Sequence, residues 1–261
     1  MTSVIDLDAI AAALYAARLD RAPLPPLTQT YPGFTTADAY QVQQRLVRLL
    51  LRDGAQVAGY KLGLTSAPMQ QQLGVDSPDY GPVLSSFVIA DGAAVAAGAF
   101  IAPRIEAEIA VVLDRRLAGP RCTPLEVAQA VRGYVAAVEI VDSRIADWKI
   151  KLPDTVADLA SCGAVALSPR LVPPGDFDPS LLGMALRRNG HLVATGAGAA
   201  ALGGPLSAVA WLVETLHPLG AWLEPGHLVM TGSLHASVPL AAGDVFRAEF
   251  DRLGPVTVRV T

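Results

Sequence analysis

The sequence predicts an α+β fold, a mainly β body preceded by a small helical part. Three features carry that reading. Long helical spacing precedes Gly54, short apolar runs broken by Gly and Pro dominate after it, and no regular βαβ rhythm appears. The chain accordingly divides into a helical segment, residues 1–55, and a body, residues 56–261.

Residues 4–21 place Val4, Ile5, Leu7, Ile10 and Leu14 at helical spacing and stop before Pro23, Pro25 and Pro26. A second helix starts at Thr35, where Thr35-x-x-Asp38 forms a capping box, and ends before Gly54. Strands follow at Val57–Leu64, Ile105–Leu113 and Val135–Asp142. Thr123-Pro-Leu-Glu126 is a second capping box, with Pro at the first helical position, and opens a helix to about Arg132. Asn189-Gly190 between two β-like runs predicts a tight hairpin. Residues 205–216 read as a helix, and 226–231, 244–250 and 255–260 as closing strands.

Composition excludes several classes. Twenty Lys and Arg against 24 Asp and Glu leave a net charge of −4, with no basic excess for nucleic acid. Only 17% of residues are charged, below the usual quarter, so part of the surface is expected to be buried in a homo-oligomer. Cys122 and Cys162 have neither CxxC nor zinc-ligand spacing and read as incidental thiols in a reducing compartment. The first twenty residues carry Asp6, Asp8, Arg18 and Asp20, which no secretory signal would, and a cytoplasmic protein is expected. His191–Val213 is uncharged and long enough to suggest a membrane span. Its glycines and Pro205 would break such a helix, so no membrane partner is expected.

The chemistry is concentrated in carboxylates set into apolar strands. Glu106 and Glu108 are two apart and share one strand face; Glu139 interrupts Val-Ala-Ala-Val-Glu-Ile-Val. Three unpaired carboxylates in one core would be costly, and a divalent cation resolves that cost; oxygen-only ligands suit Mg²⁺ or Mn²⁺. Spacing alone leaves a plainer reading open, with Glu106 and Glu108 on a wet face and Glu139 paired with arginine. Lys61 lies between Gly59 and Gly63, a pattern that marks close approach by a ligand or another backbone, although an edge-strand lysine would look the same. Asp79, in Ser-Pro-Asp-Tyr-Gly-Pro, reads by default as a turn residue. Gly196-Ala-Gly198 only loosely matches a dinucleotide fingerprint, and Ser233 with His235 lacks both a nucleophile elbow and an acid partner.

A set of motifs then resembles one family. Tyr60-Lys-Leu-Gly-Leu-Thr-Ser66, Pro103-Arg-Ile-Glu-Ala-Glu-Ile109 and Val138-Glu-Ile-Val-Asp-Ser-Arg-Ile-Ala-Asp-Trp-Lys149 belong to it. So do Asp154-Thr-Val-Ala-Asp158, Thr195-Gly-Ala-Gly-Ala-Ala-Ala-Leu-Gly203 and Thr231-Gly-Ser-Leu234. Together they resemble the 2-keto-4-pentenoate hydratases and 4-oxalocrotonate decarboxylases of the fumarylacetoacetase-like superfamily. The resemblance implies a rolled mixed sheet, a homo-oligomer, and an Mg²⁺ or Mn²⁺ ion held by Glu106, Glu108 and Glu139. It implies that Lys61 and Asp79 move protons and that Ser161 lies near a bound 2-keto acid. Relatives usually carry Asn where this chain has Leu159, so a change in the substrate contact is expected there. The implied reaction ketonises a 2-hydroxydienoate and adds water to the far end of the enone, a step of meta-cleavage aromatic catabolism. Association with other enzymes of that pathway is part of the same expectation. A decarboxylase acting on 2-oxo-hex-3-enedioate and a C–C bond hydrolase are the alternatives. The hydrolases tend to use Asp as third ligand and an upstream His, whereas this chain has Glu139 and no His before His191.

Overall fold

The structure, a computed structural model, describes residues 5–66, 70–71, 75 and 77–261. The expected start of the first helix at Val4 lies outside these residues. Asp6 caps α1 (Leu7–Asp20) by accepting the N–H groups of Asp8 and Ala9. A short α2 (Leu27–Thr30) leads to α3 (Thr36–Arg52), where the Thr35/Asp38 capping box forms as expected.

Among the described residues, thirteen strands form two sheets. They are β1 (Val57–Gly63), β2 (Asp79–Leu84), β3 (Val88–Ala90), β4 (Ala94–Val95), β5 (Arg104–Leu113), β6 (Val131–Val141) and β7 (Cys162–Leu167). After them come β8 (Gly183–Arg188), β9 (His191–Ala197), β10 (Leu228–Met230), β11 (Val238–Pro239), β12 (Val245–Phe250) and β13 (Gly254–Val260). Helices α4 (Pro124–Ala130), α5 (Leu152–Ala157) and α6 (Pro205–Leu216) are inserted among them. The larger, mixed sheet runs β2-β1-β10-β5-β6-β7-β3, with β11 added alongside β5; the smaller runs β4-β13-β12-β8-β9.

Some sequence expectations differ from the structure, at element ends and at Asp79. The helix opened by Thr123 stops at Ala130 rather than near Arg132, because Val131 already pairs with Leu113 as the start of β6. Asp79 is no turn residue: it opens β2, paired with Gly63 and only 1% exposed. Asn189 and Gly190 turn the β8–β9 hairpin with φ values of 53° and 84°, as the Asn-Gly signal requires.

Both faces of the larger sheet are apolar. Ile105, Ala107, Ile109 and Val111 of β5 join Val138, α6 and the inner residues of the smaller sheet, among them Phe246 and Val258. The opposite face meets the N-terminal helices, where Ile10, Leu14, Val42 and Leu46 pack with Val83, Val165 and Met230. Gly198–Leu219 is long and apolar enough for a span, but half of its most apolar window is buried and α6 packs inside this core. Gln43 of α3 pins two site-bearing elements together, donating to Tyr80 O of β2 (3.0 Å) and Val156 O of α5 (2.8 Å).

Candidate active site

Alternation along β5 sends its apolar residues into one core and Glu106 and Glu108 to the opposite face, the side covered by the N-terminal helices. On β6 the register sets Glu139 directly opposite Glu106, and Ala137 opposite Glu108. One oxygen from each of the three glutamates falls within a 4.8 Å span. Glu108 and Glu139 are fully buried, and among the described residues Glu108 Oε1 and both Glu139 oxygens have no hydrogen-bond partner.

Such a cluster cannot rest as bare anions. Burial pushes Glu106 up to about 7, with Glu139 adding to the shift and Lys61 and Arg104 opposing it. Glu108 is held well above the usual range by burial, then by Glu139 and Glu106. Burial also raises Glu139, against the pull of Lys61. Unpartnered buried oxygens converging from two strands are the donor set of a hard divalent cation, so these residues fit one.

Lys61 enters from β1. Its Nζ donates to Ala160 O at 2.8 Å and lies 3.4 Å from Glu139 Oε2. Burial alone would lower its pKa, but Glu139, Asp79, Glu106 and Glu108 outweigh burial and hold the ammonium well above the ordinary lysine range. Asp79 faces Lys61 from β2. Burial raises its carboxyl, against Lys61, the Gly63 N–H and the Thr155 hydroxyl, and Oδ1 is left unpartnered.

The glycines flanking Lys61 earn their place by close approach. A Cβ at Gly59 would lie 1.8 Å from Leu228 O, and one at Gly63 2.2 Å from Asp79 Oδ1. Gly81, opposite Lys61 in the ladder, does the same for the loop above: its Cβ would meet Leu159 O at 2.3 Å. That loop is a left-handed turn. Leu159, Ala160 and Ser161 have φ values of 55°, 50° and 58°, a sparsely populated run for residues with a Cβ. It aims Ala160 O at Lys61 and turns Ser161 to the cavity, where its Oγ lies 3.2 Å from Thr155 Oγ1. Behind the turn, Asp158 takes the Arg144 backbone N–H at 2.9 Å and Nε at 2.5 Å, and Arg144 is itself buried.

A cavity of about 160 Å³ opens over these groups, lined by Lys61, Asp79, Arg104, Glu106, Trp148, Thr155 and Ser161 among others. It suits a small acid and is too small for a dinucleotide. Leu159, expected at the substrate, does not line it: the side chain is fully buried in the apolar cluster shared with α1 and α3. The left-handed turn presents only the backbone of this residue toward Gly81 and sends an apolar side chain to the core. Sequence reasoning also missed Thr155, Arg104 and Trp148. Arg104 was findable, because it shares the strand face of Glu106 and Glu108 two positions earlier. Thr155 and Trp148 carry no local signal.

Ser233 and His235 have structural roles. Ser233 Oγ donates to His235 O, and the His235 ring takes the Ala107 N–H on Nε2 and contacts Ala236 O through Nδ1. With Gly232 N–H on Glu108 Oε2 at 2.8 Å, residues 231–235 brace β5 between its two glutamates.

The model of the fumarylacetoacetate (FAA) hydrolase C-terminal region matches residues 61–261. The chain belongs to the fumarylacetoacetate hydrolase family. Within this family it is similar to a 2-keto-4-pentenoate hydratase of Paraburkholderia xenovorans (44% identity, 94% of this chain and 91% of the relative). It is also similar to a 2-hydroxyhexa-2,4-dienoate hydratase of Comamonas testosteroni (40% identity, 95% of each chain). Among solved structures, the 4-oxalocrotonate decarboxylase from Pseudomonas putida G7, complexed with magnesium and adipate, superposes with a TM-score of 0.95 at 36% identity. That match covers 98% of this chain and 97% of the other. A fumarylpyruvate hydrolase from Pseudomonas aeruginosa shares the fold (TM-score 0.62, 18% identity, 77% and 88% covered).

Proposed function

We propose that this protein is a divalent-metal-dependent hydratase that adds water to 2-hydroxypenta-2,4-dienoate, or a close homologue, to give 4-hydroxy-2-oxopentanoate. The observation that carries the reading is a cluster of three glutamates, Glu108 and Glu139 buried and Glu106 opening with Lys61 and Asp79 onto one small cavity, in a chain 40–44% identical to proteins named as such hydratases. Glu106, Glu108 and Glu139 would hold Mg²⁺ or Mn²⁺, and the ion would supply Lewis-acid stabilisation of negative charge on a substrate oxygen. Lys61 keeps a proton at Nζ, aimed by Ala160 O. Asp79 offers a bare Oδ1 as acceptor. The two groups therefore suit acid and base roles in ketonising the dienol and in delivering water to the far carbon. Ser161, turned into the cavity beside Thr155, is suited to hydrogen-bond the bound acid.

A decarboxylase acting on 2-oxo-hex-3-enedioate is the second reading, favoured by the 0.95 TM-score to such an enzyme. Side-by-side assays with Mg²⁺ or Mn²⁺ decide between them. Formation of 4-hydroxy-2-oxopentanoate from the dienoate supports the hydratase, whereas CO₂ release from the dicarboxylate alone overturns it. The low charged fraction further supports a homo-oligomer, and a monomeric mass in dilute solution would contradict that assembly.

A further inference from the structure

The cavity holds one cation that no proton-transfer role uses. Arg104 stands on the same β5 face as Glu106 and Glu108, opposite Val141 in the ladder, one step farther along the row of carboxylates. Among the described residues its Nε is sealed from water and without a partner, and its guanidinium enters no ion pair. Arg104 as a whole is half-buried at the cavity wall, so its guanidinium is placed to pair with an anion that enters there.

Its surroundings hold it ready. The guanidinium carbon lies 5.9 Å from the centre of the Trp148 ring, and Trp148 is in turn fixed by its indole N–H on Ala102 O at 2.9 Å. Trp148 and its neighbour Asp147 both have positive φ, so the loop that brings the ring over the cavity is held under backbone strain.

Charge makes the need explicit. Three glutamates and Asp79 are four negative charges, and Lys61 with a divalent ion returns three. Without Arg104 a carboxylate substrate would enter a site already net negative; Arg104 brings the sum to zero. Lys61 is committed to Ala160 O and Glu139, which leaves Arg104 as the available cation on the lining.

We propose that Arg104 is the docking residue for the carboxylate of the 2-oxo acid itself, gripping it through its guanidinium. This rests on the reading of the site as one for 2-oxo acids. Guanidinium, unlike ammonium, offers a carboxylate two parallel donors, so lysine is a poor replacement.

The test is calorimetric titration of the Mn²⁺-loaded protein with oxalate, beside titration with Mn²⁺ alone, for wild type, Arg104→Lys and Arg104→Met. The expected result is Mn²⁺ affinity within about threefold of wild type, with oxalate bound about 10- to 100-fold more weakly by Arg104→Met, the loss for one charge-assisted contact. For the dienoate, KM should rise more than kcat falls. Equal losses of Mn²⁺ and oxalate affinity would assign Arg104 to the metal site and overturn the proposal. So would unchanged oxalate binding with weakening confined to adipate, which would place the guanidinium at a distal carboxylate. Failure of wild type to hydrate any dienoate, with oxalate binding still dependent on Arg104, would sink the hydratase and leave the docking role standing.

Discussion

Lys61 shows how a single side chain is tuned by neighbours from several elements. Its ammonium is held protonated by Glu139 and Asp79 and aimed by a carbonyl of the left-handed turn. Lys61→Ala should lower kcat by about 10²–10⁴, the usual worth of a positioned acid or base, with Mn²⁺ binding preserved. Turnover near wild type in a steady-state assay would remove it from the proton path. Gly81→Ala tests the support of that carbonyl. The new methyl would press on Leu159 O, so unfolding free energy should fall by about 1–3 kcal/mol, with a drop in kcat. Gly98, whose Cβ would meet nothing within 4 Å, is the control, and urea midpoints of Gly81→Ala and Gly98→Ala make the comparison. The glutamates, Lys61 and its glycines were legible because charge and glycine are conspicuous in apolar strands. Leu159 misled because a residue beside a site motif need not turn its side chain to the site.

At the scale of elements, strands and caps were the readable part. Both capping boxes and the Asn-Gly hairpin express local chemistry, and they form where the residues call for them. The 159–161 turn does not. Nothing in Leu-Ala-Ser prefers positive φ; packing against Gly81 and the Asp158–Arg144 pair behind it impose the conformation. The β8–β9 hairpin offers an element-level prediction with a definite pH sign. Asp244 is buried, which alone would raise its pKa, but bonds from Arg188, the Ala241 N–H and Asn189 outweigh burial and hold it below the usual range. A depressed carboxylate stabilises the fold above its unfolded pKa and loses that contribution as pH falls through the folded value. Asp244→Asn should therefore cost about 1–2 kcal/mol at neutral pH, discounted for the partly exposed Arg188. The gap to wild type should narrow below about pH 4. Urea midpoints of both proteins across that range give the answer, and a gap independent of pH would refute the ionic assignment.

For the molecule as a whole, fold class was readable from the contrast between the helical segment and the short β runs, but strand order was not. β10 reaches its place between β1 and β5 from more than a hundred residues downstream, through pairings that depend on long-range contact rather than local pattern. That non-local closure draws Lys61 from β1, Asp79 from β2 and Glu106 from β5 to one cavity, and sets Glu108 and Glu139 of β5 and β6 within 4.8 Å of Glu106, so site and global fold are coupled. A cation on the three glutamates binds only the folded chain and must stabilise it. At a hundredfold excess over its Kd the gain is about 2.7 kcal/mol. For a chain of this size that is a rise in Tm of about 5–10 °C. Protein stripped with EDTA and scanned with and without Mn²⁺ should show the rise. Glu108→Gln, which removes a charge without changing side-chain shape, should fold yet lose most of the response. An identical Tm with and without metal in the wild-type protein would mean that the buried carboxylates are neutralised by protons rather than by an ion, and the proposed hydratase would have no electrophile at its centre.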